Sequence, residues 1–284
     1  MENHIIIMAG GVGSRLYPLS TPEHPKQFLD ILECGKTMIQ LTYERFLVTD
    51  PDARFWILTS EEYVHFVHEQ LPMIPDEQIL AEPVSRNTAP CIAYACWKIR
   101  MRYPAANIVV TPADAYIPDS EAFSRTIRLA LGFSDSHNAI VCIGIHPDSP
   151  HTGYGYIHCP DATEGEVCKV ESFREKPDAE TAGRYLAEGG YWWNAGIFVW
   201  NVDTIESEIR THVPQIAMVM DQISAALYTP AEKQSLATLF PTCEKISIDF
   251  AVMEKSENIY STPGFWEWSD LGSFEAIEKV KGRL

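Results

Sequence analysis

The chain has 284 residues, 46% of them hydrophobic, with 22 Lys and Arg against 39 Asp and Glu for a formal net charge of −17. That composition excludes disordered and collagen-like classes and is long enough to bury a core without metal or disulfide staples. The negative charge argues against nucleic acid or an anionic membrane surface as the main partner, while a small anionic ligand needs only a few local cations.

Taken in chain order, the apolar pattern alternates between two periods. Runs at 4–9, 54–59, 78–82, 107–111 and 139–145 read as strands, several too uniformly apolar for a half-exposed sheet. Between them, 37–46, 61–71, 88–101 and 120–133 carry apolar residues at three- and four-residue spacing, which predicts helices. Strand alternating with helix is the signature of a parallel α/β sheet. After His146 the rhythm changes: 153–156 and 166–173 read as short antiparallel ribbon. A helix near 179–188, a strand at 192–200 and helices through Phe240 follow. No linker, repeat or low-complexity run divides the chain. One domain over 1–284 is therefore expected, with a first half to about 115 and a more elaborate half from about 116.

The seven cysteines are odd in number and scattered, with no C-x-x-C. That pattern is expected of reduced, mostly buried thiols in the cytoplasm. The N-terminus lacks a cationic, cleavable leader, and no run approaches the ~18 apolar residues of a membrane span.

The first strand ends in Ala9-Gly10-Gly11-Val12-Gly13-Ser14-Arg15-Leu16, with Pro25-Lys26 soon after. Glycines here let the backbone turn sharply and aim several N–H groups into one concavity, and Arg15 and Lys26 add full positive charges. Two familiar phosphate loops are excluded by register. The dinucleotide fingerprint needs glycine where Leu16 stands. A Walker loop ending in Gly35-Lys36-Thr37 needs glycine where Asp30 stands.

The run from Gly10 to Ser20, followed by Pro25-Lys26-Gln27-Phe28-Leu29, resembles the signature loop of sugar-1-phosphate nucleotidyltransferases. Its Lys-Gln-Phe version is similar to the mannose-1-phosphate guanylyltransferase branch. Further segments agree in order: Glu82-Pro83-Val84-Ser85-Arg86-Asn87-Thr88, Thr111-Pro112-Ala113-Asp114, Phe173-Arg174-Glu175-Lys176-Pro177, Trp193-Asn194-Ala195-Gly196, Ser247-Ile248-Asp249-Phe250 and Trp268-Ser269-Asp270-Leu271-Gly272. The resemblance implies a Rossmann-like three-layer α/β fold with a mainly parallel mixed central sheet and a small antiparallel ribbon on the sugar side. It assigns the first half to nucleotide and the second to sugar phosphate.

The implied reaction is GTP plus mannose 1-phosphate giving GDP-mannose and pyrophosphate, with Mg²⁺ as cofactor. It demands charge neutralisation and alignment of two anions rather than a protein nucleophile. The resemblance gives Arg15, Lys26 and the amides of Gly10, Gly11 and Gly13 to the triphosphate. Glu82, Arg86, Asn87 and Thr88 are expected at the guanine edge and ribose, although Asn87 or Thr88 also suits a helix cap. Asp114 and Asp270 are the implied metal ligands, Lys176 meets the sugar phosphate, and Gly153, Glu175 and Asn194 meet the sugar. Many relatives carry His after the Asp114 equivalent, where this chain has Ala115. The isomerase domain fused to some relatives is expected to be absent. A different base or sugar, a non-catalytic nucleotide-sugar sensor and assembly as a homodimer all stay open at this point.

Overall fold

Both faces of the first strand are buried, and that constraint decides the layering. The structure, a computed structural model, describes residues 1–283. In β1 (Glu2–Met8), Ile5 and Ile7 point to one face and Ile6 to the other, and all three are fully buried. Period-two alternation with apolar residues on both sides requires a helical layer on each face.

The chain supplies those layers in turn. α1 (Met38–Thr49), β2 (Arg54–Ser60), α2 (Val64–Gln70), β3 (Ile79–Glu82), α3 (Thr88–Arg102), β4 (Ala106–Pro112), α4 (Ser120–Ser136) and β5 (Ile140–Ile145) form the alternating part. Three short strands follow, β6 (Tyr156–His158), β7 (Cys168–Lys169) and β8 (Ser172–Arg174). Then come α5 (Ala179–Glu188), the long β9 (Tyr191–Asn201), α6 (Val202–His212), α7 (Pro214–Ser224), α8 (Glu232–Leu239), β10 (Ile259–Gly264) and α9 (Phe274–Lys281). Side chains set several helix starts: Asp119, Asp178, Asn201 and Ser273 each accept from an amide of the first turn.

The sheet runs in the order β3-β2-β1-β4-β9-β5-β10-β7. Strands β1 to β5 and β10 share one direction, and β9 runs against its neighbours β4 and β5. The expected mixed, mainly parallel sheet is therefore present. What the sequence did not reveal is that the antiparallel strand sits in the middle. On one face α1 and α4 pack, with Phe46 and Phe123 in edge-to-face contact at 5.1 Å. The other face takes α3, α6 and α7, where Ile92, Ile205 and Met220 meet Ile6, Trp56 and Trp200. A third, smaller cluster joins Leu16 and Leu271 to Ile277 and Val280 of α9, so the last helix buttresses the glycine loop from outside.

Three sequence expectations need correction. The stretch 61–71 opens as a 3-10 turn, Glu61–Tyr63, before α2 begins. β10 and α9 were not foreseen, because Pro263 and Gly264 interrupt the strand pattern. The cysteines are not all free: Cys159 and Cys168 form a disulfide. Pairing of β6 with β8, Ile157 opposite Phe173, folds the intervening loop back and brings the two residues together. A nine-residue separation alone carries no such signal. Of the five free cysteines only Cys34 is exposed.

Phe123 tests the packing of the α1–α4 face. It is fully buried, with Phe46 at 5.1 Å and Trp266 at 5.4 Å. Phe123→Ala is expected to lower unfolding free energy by about 3–5 kcal/mol, measured by urea denaturation with an unchanged m-value.

Candidate active site

At the end of β1 the chain turns along the carboxyl edge of the sheet, and its carbonyls are pinned from below. The Gln27 amide donates to the carbonyls of Ala9 (3.0 Å) and Gly11 (2.9 Å). The Ser20 hydroxyl donates to Val12 (2.6 Å), and the Thr59 hydroxyl to Ala9 (2.9 Å). With the carbonyls held, the amides of Gly10, Gly11, Val12 and Gly13 donate to no protein acceptor among the described residues. A row of unpaired N–H groups is an anion-binding concavity. Gly13 must be glycine: its φ is +66°, and a Cβ would lie 3.0 Å from both Lys26 Cβ and Ser20 Oγ.

Two hollows meet at this loop. The first, about 310 Å³, is lined by Gly10, Gly11, Gly13, Glu82, Asn87 and Thr88, together with Met8, Leu58, Thr59 and Cys91. The second, about 290 Å³, is lined by Arg15, Lys26, Gly153, Tyr154, Glu175, Asn194, Asp249 and Asp270. Gly13, Pro112 and Asp114 border both, so the hollows are two lobes of one cleft. The cleft lies outside the carboxyl ends of β1, β3 and β4, where ligands of open α/β sheets collect.

In the first lobe, α3 begins at Thr88. Asn87 caps it by accepting from the Thr88 amide (2.8 Å), and Thr88 Oγ1 accepts from the Ile248 amide (2.8 Å). The capping role and a place in the lobe thus coexist in the same two residues. Burial pushes the Glu82 carboxyl up to about 7, against a smaller opposing effect of a hydrogen bond with Cys91. Arg86, expected here, lines neither lobe. Its guanidinium donates to the carbonyl of Pro241.

The seam between the lobes is made by Lys26. Its side chain is 5% exposed, and its ammonium donates to Asp114 Oδ2 (2.8 Å) and to the Asp270 carbonyl. Asp270 is further engaged by the Tyr154 hydroxyl at Oδ1 (2.8 Å) and by Arg15 at Oδ2 (3.4 Å). Burial, reinforced by the Asp270 charge, raises the Tyr154 phenol. Asp114 and Asp270, far apart in the chain, are therefore brought to one cation. No cluster of three or more metal-ligating side chains occurs among the described residues. Ala115, where many relatives carry His, borders the second lobe, and its carbonyl accepts from Arg45 (3.3 Å).

In the second lobe, Glu175 Oε1 holds the Lys176 ammonium at 2.6 Å. A Cβ on Gly155 would lie 2.7 Å from Glu175 Oε2, so the carboxylate can sit there only over glycine. Lys176 itself is 60% exposed and does not line the lobe. Asn194 donates to Asp249 Oδ1 (3.2 Å). Tyr154 and Gln27 were outside the expected set, while Asp249 was expected, from the resemblance, to shape the acceptor pocket. Tyr154 and Gln27 act through contacts between distant segments, which leave no local spacing to read.

A profile of the nucleotidyl transferase family matches residues 4–284. The chain belongs to that family. It is 34% identical to a mannose-1-phosphate guanylyltransferase of Escherichia coli, covering 97% of this chain and 59% of that one. It is 36% identical to the alginate biosynthesis protein AlgA of Pseudomonas aeruginosa, covering 98% of this chain and 58% of that one. The chain thus spans less than two thirds of the length of these relatives. A crystal structure of a mannose-1-phosphate geranyltransferase from Thermus thermophilus superposes with a TM-score of 0.88 at 31% identity, over 99% of this chain and 79% of that one. The ten-strand mixed sheet described above is the fold of this nucleotidyl transferase family.

Glu82 gives a test that does not depend on substrate. A carboxyl raised in the folded state binds its proton more tightly than in the unfolded chain. Its stabilising contribution is therefore full below about 4.5 and lost as pH rises through about 7. Glu82→Gln is expected to gain stability over the wild type at pH 8, on the order of 1 kcal/mol given the opening to solvent. That gain disappears at pH 4. Paired urea titrations at the two pH values measure it.

Proposed function

We propose that this chain transfers GMP from GTP to mannose 1-phosphate, giving GDP-mannose and pyrophosphate. The observation that carries the reading is the two-lobed cleft, with unpaired glycine-loop amides at its centre and Lys26, Asp114 and Asp270 at the seam. Two anions bound in adjoining lobes meet at the unpaired amides and the Lys26 ammonium, donors of the kind that in-line displacement at a phosphorus needs. A phosphate oxygen of the sugar forms the new bond to the α-phosphorus, and the bond to the β-phosphate bridge breaks, releasing pyrophosphate.

In this reading residues up to about 115 serve the nucleotide and those from about 116 the sugar phosphate. The amides of Gly10, Gly11 and Gly13, with Arg15, hold the triphosphate. Glu82 accepts hydrogen bonds from the guanine edge, and Asn87 and Thr88 border the ribose. Gly153, Glu175 and Asn194 recognise the sugar, and Lys176 swings from Glu175 to the sugar phosphate. Guanine and mannose are drawn from what the relative at 34% identity, a mannose-1-phosphate guanylyltransferase, is called. Arg86 is left out of the nucleotide set, since it is committed to Pro241.

Mg²⁺ fits the donor set. Asp114 and Asp270 are hard oxygen donors that line the same lobe, both partly open to the cleft, and Mg²⁺ needs only one or two carboxylates beside phosphate oxygens and water. When bound, the ion would neutralise phosphate charge. No helix among the described residues is long and apolar enough to cross a membrane.

The test is a panel of four nucleoside triphosphates against several sugar 1-phosphates, assayed for pyrophosphate release with Mg²⁺ and with chelator. GTP with mannose 1-phosphate is expected to give the highest kcat/KM, by at least about tenfold, and chelator to abolish it. A different preferred pair would overturn the substrate assignment. No turnover with any pair would favour a nucleotide-sugar sensor.

A further inference from the structure

The two carboxylate oxygens of Asp270 are not equivalent. Oδ1 accepts from the Tyr154 hydroxyl (2.8 Å) and from the Gly272 amide (3.0 Å). An ionised carboxylate offers about two lone-pair sites on each oxygen, so two donors fill Oδ1. Oδ2 has only Arg15, at 3.4 Å and on a side chain that is 68% exposed. A Cβ on Gly272 would collide with Oδ2, so glycine at that position leaves the oxygen its place. The χ2 torsion of an aspartate is broad and roughly two-fold, and nothing in the side chain itself decides which oxygen stays open. The donors on Oδ1 decide it.

The Gly272 amide is local, two residues along the chain, whereas the Tyr154 hydroxyl arrives from 116 residues away. Its ring is clamped by aromatic neighbours. His151 stacks on it at 3.9 Å, and Trp193 and Trp268 meet it edge-on at 5.0 and 5.1 Å. The His151 ring is fastened in turn by the Gly153 amide, which donates to Nδ1 (3.1 Å). The Tyr154 carbonyl accepts from the Lys176 amide (3.2 Å), which ties the same residue to the β6–β8 ribbon. A phenol held in this way keeps its hydroxyl on the carboxylate.

On the reading given above, in which Asp270 is a Mg²⁺ ligand, we propose that Tyr154 is the positioning residue of that site, its hydroxyl holding Oδ1 so that Oδ2 is the oxygen presented to the ion. Arg15 belongs to the triphosphate in the same reading. With nucleotide bound it leaves Oδ2 without a donor, while the two bonds on Oδ1 persist. Groups that orient a ligating side chain typically change metal affinity by about 10–100-fold. Tyr154 also lines the sugar lobe. One side chain therefore borders the acceptor and sets the carboxylate that faces the metal.

Tyr154→Phe keeps the ring and its packing and removes only the hydroxyl. Mn²⁺ serves as the probe, with GTP present and no sugar phosphate, and its binding is read from loss of the free-ion paramagnetic resonance signal. The wild type, Tyr154→Phe and Asp270→Asn are compared. The half-saturating Mn²⁺ concentration should rise at least about tenfold in Tyr154→Phe, and further in Asp270→Asn. In turnover assays of Tyr154→Phe the Mg²⁺ requirement should rise by the same factor, with kcat at saturating Mg²⁺ returning to within about threefold of the wild type. Excess ion compensates for a poorly oriented ligand but not for a packing defect, which would persist at every Mg²⁺ concentration. Wild-type Mn²⁺ affinity in Tyr154→Phe beside a weakened Asp270→Asn would overturn the proposal and leave the metal reading standing. Wild-type affinity in both would remove Asp270 from the metal site, and the proposal with it. A fall in kcat that excess Mg²⁺ does not restore would also overturn it. If the substrate panel selects another triphosphate, that one replaces GTP here, so an error in the base assignment is not taken for an error in this one. Because Mn²⁺ binding is read without turnover, the same outcomes decide for a nucleotide-sugar sensor.

Discussion

The ammonium of Lys26 is the point on which the cleft is assembled. It ties the glycine loop to Asp114 at the end of β4 and to the Asp270 carbonyl near the C-terminus, positions 88 and 244 residues away in the chain. A lysine so deeply buried is costly unless paired, and removing one member of a buried pair typically destabilises by about 3–5 kcal/mol. Such a group contributes more to geometry than to net stability. An antiparallel bridge between Tyr116 and Ser269 already sets the two acidic segments side by side, and Lys26 fastens both to the glycine loop. The position is doubly constrained, because the Lys26 Cβ also packs against Gly13 so closely that no side chain fits there.

The rest of the cleft follows from where the strands end. β1, β3 and β4 run the same way, so Gly10, Glu82 and Asp114 emerge on one edge. β9 runs opposite between β4 and β5, and brings Asn194 to that edge from the other direction. The β6–β8 ribbon pairs onto β9 and carries Gly155 and Glu175 across the opening. One sheet therefore delivers a nucleotide-facing set from parallel strand ends and a sugar-facing set from an antiparallel insertion. Burial raises two acids of the cleft, Glu82 and Asp249, one in each lobe.

Much of this was legible in the sequence, for local reasons. Uniformly apolar runs betray strands buried on both faces, and Ile5, Ile6 and Ile7 are the clearest case. The glycine loop and Asp114 each follow a strand end marked by pattern, whereas Glu175, just past β8, and Asn194, inside β9, were expected only from the resemblance. Arg86 looked equally suitable but turned to Pro241, a partner 155 residues away that no spacing reveals. Tyr154 and Gln27 were overlooked for the same physical reason, since their roles exist only through Asp270 and the Ala9 and Gly11 carbonyls. The Cys159–Cys168 bridge depends on strand pairing between β6 and β8, and the central place of β9 depends on the order of a whole sheet. Long-range pairing is what a linear pattern does not encode locally.

The seam itself is the most direct point of attack on the account. In Lys26→Met the stem is kept and the charge removed, so binding of GTP and of mannose 1-phosphate can be followed separately by calorimetry while transfer is followed by pyrophosphate release. If Lys26 neutralises charge where the two lobes meet, turnover should fall by about 10²–10³ in a protein that still folds and still binds each ligand in its lobe. Turnover within about tenfold of wild type would contradict the claim that this contact organises the reaction.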